Sequence, residues 1–141
     1  MKFLLFLTLL LSFGCSNNMT KPSLYSTYKS YIQQINESNA ASVAPKYYDP
    51  ELLNQIDLNN HRNLFQVLFF VPMKKVDSYA ETIHDNYGCL SVNGFEEGGN
   101  PMSINIEYNH NSLISDVGVF ILESTEDFFT KGTCPNEYEV Y

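Results

Sequence analysis

The sequence contains no tryptophan, and its 8 basic residues are outnumbered by 16 acidic ones. The lysines and arginine never gather beyond the pair Lys74-Lys75. A chain of this balance, net -8, has no electrostatic footprint for a nucleic-acid backbone and repels anionic lipid headgroups. Cysteine is scarce as well, with three in all and no Cys-x-x-Cys. The three histidines, His61, His84 and His110, are too far apart in sequence to form a ligand pair. A metal site is therefore not expected, and no cofactor-binding pattern is present. Gly-x-Ser-x-Gly is missing, which removes the usual strand-to-helix serine nucleophile. Glu96-Glu97-Gly98-Gly99 lacks the basic residue and helix of a phosphate loop and reads as a solvated hairpin tip. No catalytic residue is assigned.

Tyrosine and phenylalanine are abundant, ten of each, within a hydrophobic fraction of 44%. That composition belongs to a globular chain with a real core. Tyrosine in such numbers fits rings that keep one polar end near water or a cavity.

The one long apolar run comes first. Met1-Lys2 precedes an apolar stretch from Phe3 to Leu11 broken only by Thr8, followed by Ser12-Phe13-Gly14-Cys15. A positive start, a short apolar segment and a small-x-small end have the form of a signal peptide, residues 1–14. The run is shorter than the roughly 20 residues a spanning helix needs. Leu11 to Cys15 resembles the lipobox of bacterial lipoproteins. The resemblance implies cleavage before Cys15, a diacylglycerol on its sulfur and a further acyl chain on its amine. An ordinary signal peptidase cutting the same bond is the alternative. Removing the leader takes Lys2 with it and leaves 127 residues with 7 basic and 16 acidic side chains. Two or three acyl chains would anchor the protein durably. In the resembled family, Asp after the cysteine favours retention in the inner membrane; here that residue is Ser16. The expected location is the outer membrane, facing the periplasm. Residues 15–22 are polar and aperiodic, as a tether would be.

An acylated Cys15 leaves Cys89 and Cys134 to pair in an oxidising compartment. Their bridge would close a 46-residue loop, worth roughly 4 kcal/mol if all the entropy lost by the unfolded chain counts. Two unpaired buried thiols are the alternative.

Residues 23–141 read as one domain. Leu24, Tyr28, Tyr31, Ile32 and Ile35 form one helical stripe starting near Ser23. Asn39 is in place to cap a second helix, which Pro45 should kink or end. Asp49-Pro50-Glu51 has the chemistry of another helix start. A third long helix is expected from Asn60 through Val71, stopped by Pro72. After Lys75 the period changes to two. Strands are expected over 76–84, 88–95, 102–108 and 114–123, with turns at Asp85-Asn86, 97–101 and 109–112. Such short links imply an antiparallel meander, with Gly94 and Gly118 as candidate bends or bulges. The fold class is thus α+β, N-terminal helices packed on a curved four-stranded antiparallel meander.

The stretch Tyr28 to Asp49, YKSYIQQINESNAASVAPKYYD, resembles the opening helices of NTF2-like (SnoaL-type) domains. Asn109-His110-Asn111 before Leu113-Ile114 resembles that family's closing hairpin. The resemblance implies a sheet wrapped round helices into a conical pocket, in a family that includes isomerases, dehydratases and many binding proteins without chemistry. Tyr28, Tyr31, Tyr48 and Tyr108 are the candidate pocket wall; plain core packing is the competing role for such rings. His84-Asp85 is an unpromising acid/base pair, because neighbours on a strand face opposite ways. Glu107 and Asp116 would be of interest only if they point inward. The leading expectation is a non-enzymatic lipoprotein that binds a small ligand or an envelope protein. A cone-fold isomerase or lyase using an interior Tyr with a carboxylate, and an acidic immunity or inhibitor protein, are the alternatives.

Overall fold

The computed structural model describes residues 21–138. The leader, Cys15 and all but the last two residues of the tether lie outside the described residues, as do 139–141. No helix among the described residues is long and apolar enough to cross a membrane.

Four short helices precede a four-stranded sheet. Helix α1 is Leu24–Gln34, α2 Ala40–Val43, α3 Pro50–Leu53 and α4 His61–Val67. Strands β1 (Met73–Ile83), β2 (Tyr87–Glu96), β3 (Pro101–Asn109) and β4 (Ile114–Ile121) follow. All neighbours are antiparallel and the spatial order is the chain order. The fold is α+β with an antiparallel meander.

Local chemistry accounts for the helix boundaries. The Ser23 hydroxyl caps α1 by accepting from the Ser26 amide. Glu81 on β1 adds a second cap, its carboxylate accepting from the amides of Leu24 at 3.2 Å and Tyr25 at 2.9 Å. Asn39 stands at the start of α2 but caps nothing. Its side chain turns back, accepting from the Asn36 amide and donating to the Gln34 carbonyl, so it secures the turn instead. Pro45 converts the end of α2 into a 3-10 turn, Ala44–Lys46. Asp49 caps α3 through the Glu51 amide. Helix α4 is shorter than the apolar stripe suggests. It ends at Val67, and Leu68 to Pro72 form turns that swing the chain into β1 three residues earlier than the alternation implies.

The sheet has two different faces. Leu90 and Val92 of β2, Met102, Ile104, Ile106 and Tyr108 of β3 and Ile114 of β4 are buried against the helices. Between them on the other face stand Cys89, Ser91, Asn93, Ser103 and Asn105, also buried. What covers this second face is the C-terminal strap, residues 124–138. Three successive outward positions of β2 hold it. The Asn93 amide donates to the Phe129 carbonyl at 2.9 Å and accepts from its N–H at 3.2 Å. The Ser91 hydroxyl accepts from the Thr133 amide at 3.0 Å. Cys89 is bonded to Cys134. Gly132 lies so close to the Cys89 carbonyl and Thr82 nitrogen that any side chain would collide with backbone.

Of the two candidate bends, Gly94 lies at an irregularity and Gly118 does not. The register shifts between Val76, which pairs with Gly94, and Ser78, and again between Met73 and Lys75, and the Lys75 carbonyl crowds the space a Cβ on Gly94 would fill. Gly118 is regular, and makes room for the Phe120 ring and Pro135. The β3–β4 irregularity lies between Glu107 and Tyr108. In the β2–β3 turn, Gly99 has φ +86°, which glycine adopts without strain.

Candidate functional site: an apolar groove beside the last strand

The four candidate pocket tyrosines come together, but inside the core. Tyr28, Tyr31, Tyr48 and Tyr108 are each at most 2% exposed and fill the concavity between α1 and the sheet. Tyr31 packs edge-on against Tyr48 and stacks on Phe69. The Tyr31 hydroxyl donates to the Val67 carbonyl, and Tyr48 approaches the same oxygen at 3.4 Å. That carbonyl sits at the frayed end of α4, where the helix itself supplies no partner. The Tyr108 hydroxyl is buried without a partner among the described residues. Burial pushes all four phenols well above their ordinary value, with neighbouring tyrosines adding to the shift for Tyr28, Tyr48 and Tyr108. For Tyr31 the Tyr48 hydrogen bond offsets a part of it. These groups stay neutral at any physiological pH and serve neither as bases nor as ready proton donors.

The carboxylates do not complete an acid/base pair with them. Glu107 and Asp116 are cross-strand neighbours on β3 and β4; Asp116 borders the same groove as Tyr48, but among the described residues neither carboxylate is hydrogen-bonded to a phenol. Glu107 accepts from the Ser115 hydroxyl at 3.0 Å, and Asp116 from the Val117 amide. Glu81, half-buried on β1, was not singled out by alternation alone and is taken up by the cap of α1. His61, His84 and His110 are exposed. His84 stacks on Tyr87 with ring centres 4.3 Å apart. The ligand atoms of His84, Cys89 and Glu137 lie within 4.8 Å of one another. The Cys89 sulfur is committed to the disulfide, so this trio has no thiolate to offer a metal.

An open, mostly apolar concavity lies on the other side of Tyr48. A groove of about 390 Å³ runs between α3, the Phe65–Phe69 segment and β4. Leu52 and Ile56 form one wall, Val117 and Val119 the other, with Leu68 and Phe69 beneath. Its polar contributions are Gln66, Asp116 and the edge of Tyr48. Apolar side chains remain in solvent around it: Phe65 is 55% exposed, Val119 41% and Ile121 63%. Strand β4 is also the last of the sheet. A single parallel bridge from Tyr48 to Ile114 covers its first residue, and beyond that no strand among the described residues pairs with its outer edge. Comparisons with protein families, curated proteins and solved structures find no match to this chain.

Each wall of this groove reads in the sequence as an ordinary core stripe. Leu52, Phe65 and Val119 are brought together only by the turn at Pro72 and the meander that follows. The faint local signal is Phe65 itself, a large ring on the half of α4 that ends before the stripe does.

Proposed function

We propose that the protein is a bacterial envelope lipoprotein, held to the outer membrane by lipid on Cys15 and facing the periplasm, whose domain is a binding module without catalytic chemistry. In this reading the domain is an NTF2-like cone with its interior filled by tyrosine. The binding surface has moved to the groove beside β4, and the occupant is an apolar segment of another envelope protein. The observation that carries the reading is the coincidence of the groove, its exposed rim of Phe65 and Val119, exposed Ile121 further along the same strand, and an open strand edge. An open edge offers main-chain hydrogen bonds to an extended segment, while the groove takes its alternate side chains. Exposed contiguous apolar surface is costly in water and is retained where something covers it. The volume, about 390 Å³, also falls in the range of small-ligand sites, which supports a small apolar ligand as the second reading.

The test is a photo-crosslinking residue at position 65 in the intact cell envelope, with the same residue at Lys29 as control. An adduct to a defined envelope protein at 65 alone supports the leading reading. Binding of the neutral dye N-phenyl-1-naphthylamine to purified protein, abolished by Phe65→Asp with the circular dichroism unchanged, supports the second. Neither result leaves the groove without an occupant and defeats both. The anchor is tested separately by the mass of the native N-terminal peptide, which should carry diacylglycerol on Cys15.

A further inference from the structure

A lipid on Cys15 sets a distance. Five residues lie between Cys15 and Lys21, and the six Cα-to-Cα steps that join them span at most about 20 Å. The first described residue sits at one tip of the domain: the Lys21 ammonium donates to the His110 carbonyl at 3.2 Å, and the Leu24 side chain lies against Gly88. Two turns make this tip, His84–Asn86 between β1 and β2, and 110–113 between β3 and β4. The opposite tip is the β2–β3 turn around Gly98-Gly99. Strand β2, 10 residues long, separates the two tips by roughly 30 Å. The tether is too short to let the far tip rest on the bilayer, because Lys21 would then stand further off than those six steps reach.

The near tip is suited to the interface chemically as well. Ile83 is 66% exposed and Tyr87 38% exposed, and both stand where the chain enters from the anchor. Tyrosine favours the headgroup level of a bilayer, where its ring is sheltered and its hydroxyl stays wet. Charge does not separate the two ends: Asp85 with Glu81, Glu107 and Glu137 borders this tip, and Glu96 and Glu97, with Glu123, Glu126 and Asp127 following β4, stand against Lys74 and Lys75 at the other.

We propose that the tip bearing Ile83, His84, Tyr87 and His110 is a lipid-facing surface that rests in the headgroup layer. This rests on the lipid at Cys15 and adds an orientation to it: the sheet stands on end, and the groove beside β4 opens sideways into the periplasm instead of toward the bilayer.

The chain has no tryptophan, so one introduced indole reports alone. The full lipidated protein carrying Tyr87→Trp is reconstituted in phosphatidylcholine vesicles with acyl chains brominated near the headgroup. Its fluorescence should fall roughly twofold against unbrominated vesicles, as expected for an interfacial ring. His110→Trp, on an exposed turn of the same tip, gives a second reading should the first variant misfold. Glu97→Trp at the far tip should be unaffected. Protein that is lipidated by mass and floats with the vesicles, yet shows no quenching at 87 or 110, or equal quenching at 97, overturns the orientation while the anchor stands. Protein that carries no lipid and does not float overturns the anchor, and the orientation falls with it.

Discussion

The two faces of the sheet are buried by different means. Toward the helices, Leu90, Val92, Ile104 and Ile106 meet a wall of tyrosines, and the attraction is apolar burial, which has no direction. Toward the strap, Ser91, Asn93, Ser103 and Asn105 are equally hidden, yet they contribute little apolar area. There the strap is held at named points, an amide pair at Asn93, a hydroxyl at Ser91 and a covalent bond at Cys89. A face held by burial tolerates a change of shape better than a face held by particular atoms. The first should therefore respond to anything that charges its interior, and the second to anything that cuts a link.

Alkali should distinguish the faces most sharply. Tyr28, Tyr31, Tyr48 and Tyr108 have folded-state pKa values raised above the ordinary 10.0, chiefly by burial. Below pH 10 both folded and unfolded chains keep them protonated, and they add no pH dependence. Above it the unfolded chain releases protons that the folded chain holds, so stability falls as pH rises. Four such groups together cost about 5 kcal/mol for each pH unit beyond 10. Phenolate absorbance from these rings should appear in one step with the loss of circular dichroism. Gradual titration of all ten tyrosines with the fold intact would mean the interior is wet.

Cutting the strap is the next largest effect. Replacing Cys89 and Cys134 together by serine should lower unfolding stability by about 2–4 kcal/mol, measured by urea denaturation. The same loss should follow reduction of the native protein. Asn93 and Ser91 keep some hold on the strap, so the helix-side core should survive, and tyrosine signals from that core should remain native-like. Collapse of the whole domain on reduction would show that the faces are not separable.

The smallest effect compares two tyrosines of the same wall. Tyr31→Phe removes a hydroxyl that serves the Val67 carbonyl and should cost about 1 kcal/mol. Tyr108→Phe removes one with no partner among the described residues, and should be neutral or stabilise by up to about 1 kcal/mol. Equal losses would mean the Tyr108 hydroxyl has a bound water to give up.

The helix-side face was the more legible in the sequence. Periodicity carries it: the stripe from Leu24 to Ile35 and the alternation after Lys75 both follow from which residues leave water, and α1 and all four strands are found close to their expected places. Failures were at points where a side chain chooses between partners. Asn39 ties a turn instead of capping a helix, and Glu81 caps a helix from a distant strand. Such choices depend on neighbours that sequence spacing does not reveal. The strap was half legible. Cysteine counting joins residue 134 to β2, but nothing local says that Asn93 and Ser91 face the same way to receive residues 129 and 133. The groove was not legible, since its walls come from three separate stretches that each look like core.

The strap also bears on the order of assembly. Residues 129–134 close a face whose strands all precede them along the chain. A polypeptide that emerges N-terminus first would spend an interval with that face open to water. Hydroxyls and amides at positions 91, 93, 103 and 105 keep it wettable during the wait. Aliphatic residues there would expose a bare adhesive sheet until the last segment emerged.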